Sequence, residues 1–378
     1  MTTDKHNKRP NVPPLRFPEF TEPWETAKLG DMTVNFSKRN KDEIEYPMYS
    51  VTNNRGFIPQ SEQFEDREMV SSDIKSYKII AKGDFAYNPA RINVGSIAKY
   101  NGDNDCMISS LYVAFRAKEQ INAEWLMQLL KTPKMNFYYN LNAEGGVRMY
   151  LFYPNFERIR TSYPSLNEQR KVAQFLDLLD HRIAVQSGLI NKLESLISGI
   201  GQRVFLHFNS FEKLGNVAKI TNGNSDVQDA IEIYESGLYP FYDRSDVIKY
   251  LNTYYLDKEA IIYAGEGSEF FPRYHNGKFA LHQRCYAIFD FKEEYLPKFI
   301  YYYMFTLNGY FVRNSVGSTV PSLRMGTFEK VNIPKVPVKQ QLYIIKVFDC
   351  LHKKLHQAKQ TKRLFEMQKQ YLLQQMFI

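Results

Sequence analysis

Apolar residues recur at alternating steps of four and three along two stretches of the chain. In the first stretch they are Val172, Leu176, Leu179, Ile183, Ile190 and Leu193, with one polar interruption at Gln186. In the second they are Ile344, Phe348, Leu351 and Leu355, after which the pattern weakens. Steps of this kind place apolar side chains on one face of a helix and are typical of a coiled-coil seam. The pattern therefore predicts two long amphipathic helices.

The two stretches are also copies of one another. Gln169 aligns with Gln341, 172 residues further along, and the same offset pairs Asp177 with Asp349 without a gap. Two matched helices, one central and one terminal, favour an antiparallel coiled coil over two unrelated helices in separate cores. Glycines at 188, 199 and 201 weaken the first helix by roughly 1 kcal/mol each relative to alanine.

The segments before the helices repeat as well. Lys-Leu-Gly begins at residues 28 and 213, Phe-Glu at 156 and 328, and a glycine-containing loop precedes each Phe-Glu. The sequence therefore predicts an α+β protein in which two similar mixed α/β domains are separated by two long helices with pseudo-twofold symmetry. The expected segments are a flexible tail (1–14), the first domain (15–163), the central helix (164–205), the second domain (206–336) and the terminal helix (337–378).

Local patterns add detail to the two domains. Residues 84–89 and 260–265 are rich in strand-forming residues and end in turn residues. Helices are expected near Ala123–Leu130 and Pro297–Phe305. The Asn276-Gly277 dipeptide, flanked by His275 and His282, predicts a two-residue hairpin turn.

Composition narrows the choice of partner and compartment. The 378 residues carry a formal net charge of +8, which suits a polyanion such as nucleic acid. The three cysteines lie far apart and form no CxxC, so neither a zinc ribbon nor a disulfide framework is indicated. The polar, proline-rich start has no apolar region of a signal peptide, and no apolar run reaches the ~20 residues of a membrane span. We therefore expect a cytoplasmic protein.

The recurring motifs together resemble the specificity subunit of type I restriction–modification systems. The resemblance covers nearly the whole chain and is strongest where Pro164 leads to Glu168-Gln169 and Pro337 leads to Gln340-Gln341. The second copy has Gln340 where the family has Glu. The resemblance implies two target-recognition domains that each read half of a bipartite DNA site, and helices that set the spacer and dock two modification subunits. It also implies separate restriction subunits, and that S-adenosylmethionine, ATP and Mg belong to partner subunits.

No catalytic or metal-binding residue is indicated by the sequence. The nearest string to the Asn/Asp-Pro-Pro-Tyr/Phe element of DNA adenine methyltransferases is Asn88-Pro89-Ala90-Arg91, which lacks the second proline and the aromatic residue. No GxxxxGK[ST] phosphate loop occurs. We therefore expect a non-enzymatic DNA reader. The alternatives are a self-sufficient DNA methyltransferase or nuclease with an unrecognised site, and a coiled-coil adaptor that binds only protein.

Candidate DNA-binding residues lie in three polar clusters in each domain, because Arg, Asn and Glu can read base edges and the remainder can hold phosphate. In the first domain the candidates are Lys38, Arg39, Asn40, Tyr87, Asn88, Arg91, Asn93, Arg148 and Tyr150. In the second domain they are Asn222, Asn224, Ser225, Glu266, Ser268, Arg273, Tyr274, Thr319, Ser322 and Arg324.

Overall fold

A computed structural model describes residues 11–63, 74–146 and 148–378. Packing divides the chain into two compact units, one formed by residues up to 185 together with 362–378, and the other by residues 186–361. Most of the predicted tail, residues 1–10, lies outside the described residues. Asn11 is already attached, because its side-chain amide donates to the Trp24 carbonyl at 2.6 Å.

The first unit contains ten short strands and five short helices within the described residues. The strands are β1 (Glu25–Lys28), β2 (Thr33–Phe36), β3 (Met48–Thr52), β4 (Gly56–Pro59), β5 (Lys78–Ile80), β6 (Phe85–Tyr87), β7 (Ile97–Lys99), β8 (Cys106–Ile108), β9 (Val113–Ala117) and β10 (Arg160–Tyr163). The helices are α1 (Leu29–Met32), α2 (Gln60–Gln63), α3 (Ala123–Leu130), α4 (Pro133–Asn142) and α5 (Tyr153–Phe156). Single 3₁₀ turns lie at Ile74–Ser76 and Ile92–Val94.

Two four-stranded sheets organise this unit, in the orders β2-β9-β6-β7 and β4-β3-β8-β5, beside the antiparallel pair β1-β10. Side chains alternate between the faces of a strand. Phe85 and Tyr87 therefore share one face of β6 and join a core with Trp125 of α3. Ala86, between them, faces a second core that contains Val51 of the other sheet. The helix α3 begins at the predicted residue, where Asn122 accepts a hydrogen bond from the Trp125 amide at 2.9 Å.

The second unit is built on one six-stranded sheet, in the order β12-β17-β15-β16-β13-β14, beside the pair β11-β18. The strands are β11 (Phe211–Lys213), β12 (Lys219–Asn222), β13 (Tyr239–Tyr242), β14 (Lys249–Leu251), β15 (Leu256–Ala264), β16 (Arg273–Leu281), β17 (Cys285–Phe289) and β18 (Asn332–Pro334). The helices are α7 (Leu214–Val217), α8 (Pro297–Phe305), α9 (Asn308–Arg313) and α10 (Met325–Glu329), with a 3₁₀ turn at Val227–Asp229. Both the predicted strand at 260–265 and the predicted helix at Pro297–Phe305 are confirmed.

The predicted hairpin turn at Asn276-Gly277 is wrong. Both residues lie inside β16, where Asn276 pairs with Glu259 and Gly277 pairs with Lys258 on β15. Seven consecutive residue pairs join β15 and β16. This long antiparallel ladder outweighs the local turn preference of the dipeptide, since strand pairing and side-chain packing readily override local propensity.

Two long helices complete the units, α6 (Leu166–Leu206, 41 residues) and α11 (Val338–Gln375, 38 residues). In the first unit Asp180 pairs with Lys369 at 2.5 Å, and the Arg182 guanidinium lies 5.8 Å from the Phe365 ring. In the second unit, Glu194 pairs with Lys359 at 2.7 Å. The rings of Phe205 and Phe348 are 6.0 Å apart in that unit. Within each unit, residues further along α6 contact residues earlier in α11. The two helices are therefore antiparallel within each unit, as predicted.

The predicted seam residues differ in burial. Those at the domain-facing parts of the helices, Val172, Leu176, Leu179, Ile344 and Phe348, are buried, as is Ile190. The others, Ile183, Leu193, Leu351 and Leu355, are half-buried. Val172 and Leu176 belong to the core that also holds Leu372 of α11 and Phe377, which follows that helix. The seam is therefore packed most tightly where each helix meets a globular domain.

The repeated glutamine has the same task in both units. Gln169 accepts from the Asn122 amide at 2.7 Å and donates to the Pro164 carbonyl at 2.9 Å. Gln341 accepts from the Leu296 amide at 2.8 Å and donates to the Val336 carbonyl at 2.7 Å. Both side chains are fully buried. Each glutamine thus ties the first turn of a long helix to the loop before a short one, which explains its recurrence in the sequence.

Candidate DNA interface

A cleft of about 640 Å³ in the first domain gathers two of the three predicted clusters. Asn88 and Arg91 line it from the turn after β6, and Arg148 and Tyr150 line it from the loop before α5. Arg91 and Arg148 are exposed. Two guanidinium groups on one concave surface can hold phosphate or read guanine, so this cleft is the candidate interface of the first domain.

The loop that carries Arg148 is closed by a pair of backbone hydrogen bonds between Glu144 and Tyr150, at 2.8 and 2.7 Å. The second domain repeats this closure exactly 172 residues later, between Val316 and Ser322, at 2.8 Å in both directions. A glycine with positive φ follows the first residue of each pair, at +134° for Gly145 and +103° for Gly317. The two domains therefore present the same kind of loop.

The first predicted cluster lies elsewhere in the first domain. Lys38 and Arg39 are exposed and flank β5, where the Lys38 carbonyl accepts from the Ile79 amide at 2.8 Å. Asn40 is buried, and its side chain bonds the Ile44 backbone at 2.8 and 3.1 Å. The cluster is thus not brought to the cleft.

Two other candidates of the first domain are engaged within the protein. Tyr87 is fully buried, and burial raises the pKa of its hydroxyl. The Asn93 amide donates to the Asn140 side chain at 3.1 Å. Tyr87 belongs to the core and Asn40 to a turn, and the side chains of both are buried away from the domain surface.

In the second domain a depression of about 480 Å³ is lined by residues of four segments, within 226–227, 243–249, 265–266 and 282–285, and two further predicted residues are tied to its rim. Glu266 follows β15, and Arg284 precedes β17. Ser225 is joined to the same region because its carbonyl accepts from the Gln283 amide at 3.1 Å. Ser322 forms an isolated backbone bridge with Glu266. The predicted clusters of this domain therefore meet at the ends of β12, β15 and β17.

The remaining candidates on these loops are polar and accessible. Asn222 reaches toward the Gln283 carbonyl at 3.5 Å, and the Ser225 hydroxyl donates to Asn224 at 3.2 Å. The other exposed candidates are Ser268, Thr319 and Arg324. All of them lie on the loops that border the depression or in the turn that leads into α10.

Arg273 and Tyr274 have partners inside the second domain. The Arg273 guanidinium donates to the Ser245 carbonyl at 2.8 Å and to the Asp243 carbonyl, and lies over the Tyr242 ring. The Tyr274 hydroxyl donates to Glu259, and burial followed by this carboxylate raises its pKa. Both residues thus support β16 and its neighbours.

In the second unit, an exposed apolar stripe follows α6. It consists of Leu189 and Leu196, both of which are exposed. A step of seven places these two residues on one face of the helix.

In the part of the chain that the structure describes, no three His, Cys, Asp or Glu side chains are grouped to hold a metal ion. Within those residues, no helix combines the length and the apolar character needed to cross a bilayer.

Comparison with known proteins decides the family. The sequence profile described as "Type I restriction modification DNA specificity domain" matches residues 21–195 and again residues 209–364. The chain belongs to this family. The double match also agrees with the internal repeat.

Relatives of this type I specificity chain include two curated proteins. The EcoDI specificity subunit of Escherichia coli is 30% identical over 156 residues, which is 41% of this chain and 33% of that protein. A putative MjaX specificity subunit of Methanocaldococcus jannaschii is 23% identical over 211 residues, 52% of this chain and 49% of that protein. The matched part thus spans between a third and a half of the length of these relatives.

Solved structures share the fold of the specificity chain. The S subunit of a type I restriction–modification system from M. genitalium has a TM-score of 0.67 at 14% identity, over 97% of this chain and 99% of that one. A chain from a study of complex assembly in the type I R-M system has a TM-score of 0.51 at 15% identity, over 93% and 96%. The predicted fold class, two mixed α/β domains with a long helix between them, is confirmed.

Sequence reasoning missed several polar residues of the second-domain depression in this specificity chain, among them Arg244, Gln283 and Arg284. Arg284 is 18 residues from Glu266 in sequence, yet their side chains form an ion pair at 2.7 Å. The pairing of Ala264 with Cys285 on adjacent strands brings them together. The strand-forming patterns at residues 260–264 and 285–289 were the signal in the sequence that could have indicated this contact.

Proposed function

We propose that this chain is the DNA-reading, non-catalytic specificity subunit of a type I restriction–modification complex. Each globular domain reads one half of a bipartite DNA site through the loop surfaces described above. The observation that carries the proposal is the repeated loop, closed at Glu144–Tyr150 and again at Val316–Ser322, beside a basic cleft in one domain and a charged depression in the other.

The two surfaces differ where a specificity protein needs them to differ. Loop closure and helix anchoring are the same in both domains, whereas the side chains on the loops are not: Arg148 of the first loop corresponds to Val320 of the second, and Tyr150 to Ser322. A shared frame with different side chains suits two readers of different base sequences. The net charge of +8 supplies general attraction to the DNA backbone.

The long helices set the distance between half-sites and dock two modification subunits in this proposal. The exposed stripe of Leu189 and Leu196 supports docking, because a helix partner with an apolar face would cover it. Restriction subunits complete the complex, and S-adenosylmethionine, ATP and Mg belong to the modification and restriction subunits. The chain itself supplies sequence recognition in the cytoplasm.

The test is methylome sequencing of cells that express the chain with its modification subunit. The expected result is methylation of one asymmetric, interrupted DNA motif that disappears when the chain is omitted. Gel-shift assays with duplexes that contain this motif should show specific binding by the assembled complex. Methylation by the chain alone would support a self-sufficient enzyme, and loss of all DNA binding with retained protein binding would support an adaptor.

A further inference from the structure

An ion pair stands on the loop surface of the second domain. The Arg284 Nη1 lies 2.7 Å from the Glu266 Oε1, and the arginine side chain is 65% exposed whereas the glutamate is 23% exposed. Glu266 follows the last residue of β15 and Arg284 precedes the first residue of β17, and these strands pair at Ala264 and Cys285. The pair therefore projects from the end of a rigid two-strand ladder.

The backbone beneath the pair is fixed from several sides. The Gly265 amide donates to the Arg284 carbonyl at 2.9 Å, and the Gly265 carbonyl accepts from the Leu323 amide at 2.7 Å. A Cβ at position 265 would collide with the Arg284 carbonyl oxygen, so only glycine allows the two segments to approach this closely. This region is built to hold one side-chain arrangement before any ligand arrives.

The charge of the pair indicates which part of DNA it suits. Arg284 and Glu266 together are neutral, so the pair adds little attraction for phosphate, and a carboxylate beside a phosphate would repel it. A guanidinium that donates one N–H to a carboxylate keeps four of its five N–H donors, and a bidentate contact with guanine N7 and O6 needs only two.

We propose that Arg284 is a specificity-determining residue of the second domain that reads guanine, and that Glu266 is its positioning residue. This inference rests on the proposed function. It replaces the expectation that Glu266 itself reads cytosine, since its carboxylate already accepts from Arg284.

The experiment uses the full chain in complex with its modification subunit, first mapped by methylome sequencing and then assayed with motif duplexes carrying each base at each position. R284K keeps the charge but not the planar fork, and E266Q keeps the size but not the charge. The matched control is R313A, because Arg313 is an exposed arginine of the same domain that lies on α9 and not in the lining of the depression.

R284A and R284K should each lose discrimination about 10- to 100-fold at one G·C pair of one half-site, and leave the other half-site unchanged. The slope of the logarithm of the binding constant against the logarithm of the salt concentration should be unchanged in R284K. It should become steeper in E266Q, because this substitution adds one net positive charge. E266Q should also lose part of the discrimination at the same base pair. R313A should leave the motif unchanged.

Three results would overturn the inference. The first is a methylated motif that is unchanged in R284K. This result would overturn the inference even if the R284A complex fails to assemble. The second is a loss of DNA affinity in R284A that is equal for all DNA sequences, together with a salt dependence of binding whose slope is shallower by about 1. These two effects are expected of a residue that contacts phosphate. The third is loss of discrimination at both half-sites. If the wild-type complex methylates no bipartite motif, the proposed function fails instead.

Discussion

Replacing Gln341 by leucine should strongly destabilise the second unit. The side chain is fully buried, and it serves three backbone groups. It accepts from the Leu296 amide at 2.8 Å and donates to the Glu294 and Val336 carbonyls, both at 2.7 Å. Leucine fills a similar volume but satisfies none of them.

The expected loss of folding free energy follows from the three backbone groups that lose their hydrogen-bond partner. Each unsatisfied buried polar group costs about 1–3 kcal/mol, and partial relaxation places the total near the lower end, about 3–5 kcal/mol. For a folding unit of this size, 1 kcal/mol corresponds to roughly 2–4 °C in Tm. We expect Q341L to lower the unfolding transition of the second unit by roughly 10 °C.

Thermal and urea unfolding of the full chain would measure the change, and hydrogen exchange would locate it. Faster exchange should appear in the segment from Glu294 through α8 and in the first turn of α11, with the equivalent α3 region of the first unit unaffected. The control is Q340L, because Gln340 is the exposed neighbour, and its change should stay within about 0.5 kcal/mol. A free energy of unfolding for Q341L within 1 kcal/mol of wild type would refute the anchoring argument.

Q341E tests the direction in which the loss of stability changes with pH. Burial and two facing carbonyls should raise the pKa of the new carboxyl above its ordinary value of about 4.3. A raised folded-state pKa means that the deficit relative to wild type is smallest below about pH 4.3 and grows as the pH rises toward the folded pKa. A deficit independent of pH would contradict this placement of the side chain.

Other predictions concern the proposed function. The purified chain with labelled S-adenosylmethionine and DNA should transfer no methyl group until the modification subunit is added; robust transfer by the chain alone would contradict the reader assignment. Exchange of residues 15–163 for the equivalent domain of a relative should change one half-site in the methylome and leave the other intact. Four residues inserted between Val185 and Gln186, matched by four between Thr361 and Lys362, lengthen both helices by about 6 Å and turn them about 40° beyond a full turn. The spacer should then grow by one or two base pairs at ~3.4 Å each, and an active complex with the old spacer would show that the helices do not set it. L189E on the exposed stripe should weaken capture of the modification subunit at least 10-fold without changing the Tm, as pull-down and calorimetry would show, whereas Q340L should not.

The helices and the repeat could be predicted because their signals are local and periodic. Val172, Leu176 and Leu179 are four or three residues apart, and such spacing leads directly to a buried stripe on one helix. The offset between Gln169 and Gln341 needed no structural knowledge at all. The structure adds the reason for it, since both side chains make equivalent backbone hydrogen bonds.

The site was predicted less well because strand pairing brings distant residues together. Asn276-Gly277 has the composition of a turn, yet the ladder with β15 holds it in a strand. Arg284 meets Glu266 only because β15 and β17 are neighbours. The burial of Tyr87 could have been predicted from the sequence, because its two-residue spacing from Phe85 already places both side chains on one face of a strand. Whether the exposed candidates contact bases stays a prediction.

Phe377 lies far from the first domain in sequence and inside its core in space. Its ring is 5.8 Å from the Trp125 ring and 6.3 Å from the Trp24 ring, while the Leu15 amide donates to the Gln375 carbonyl at 2.9 Å. Shortening the chain to end before Phe377 would therefore open the core of the first domain. If that domain reads one half-site, as proposed, the shortened chain should lose recognition at that half-site.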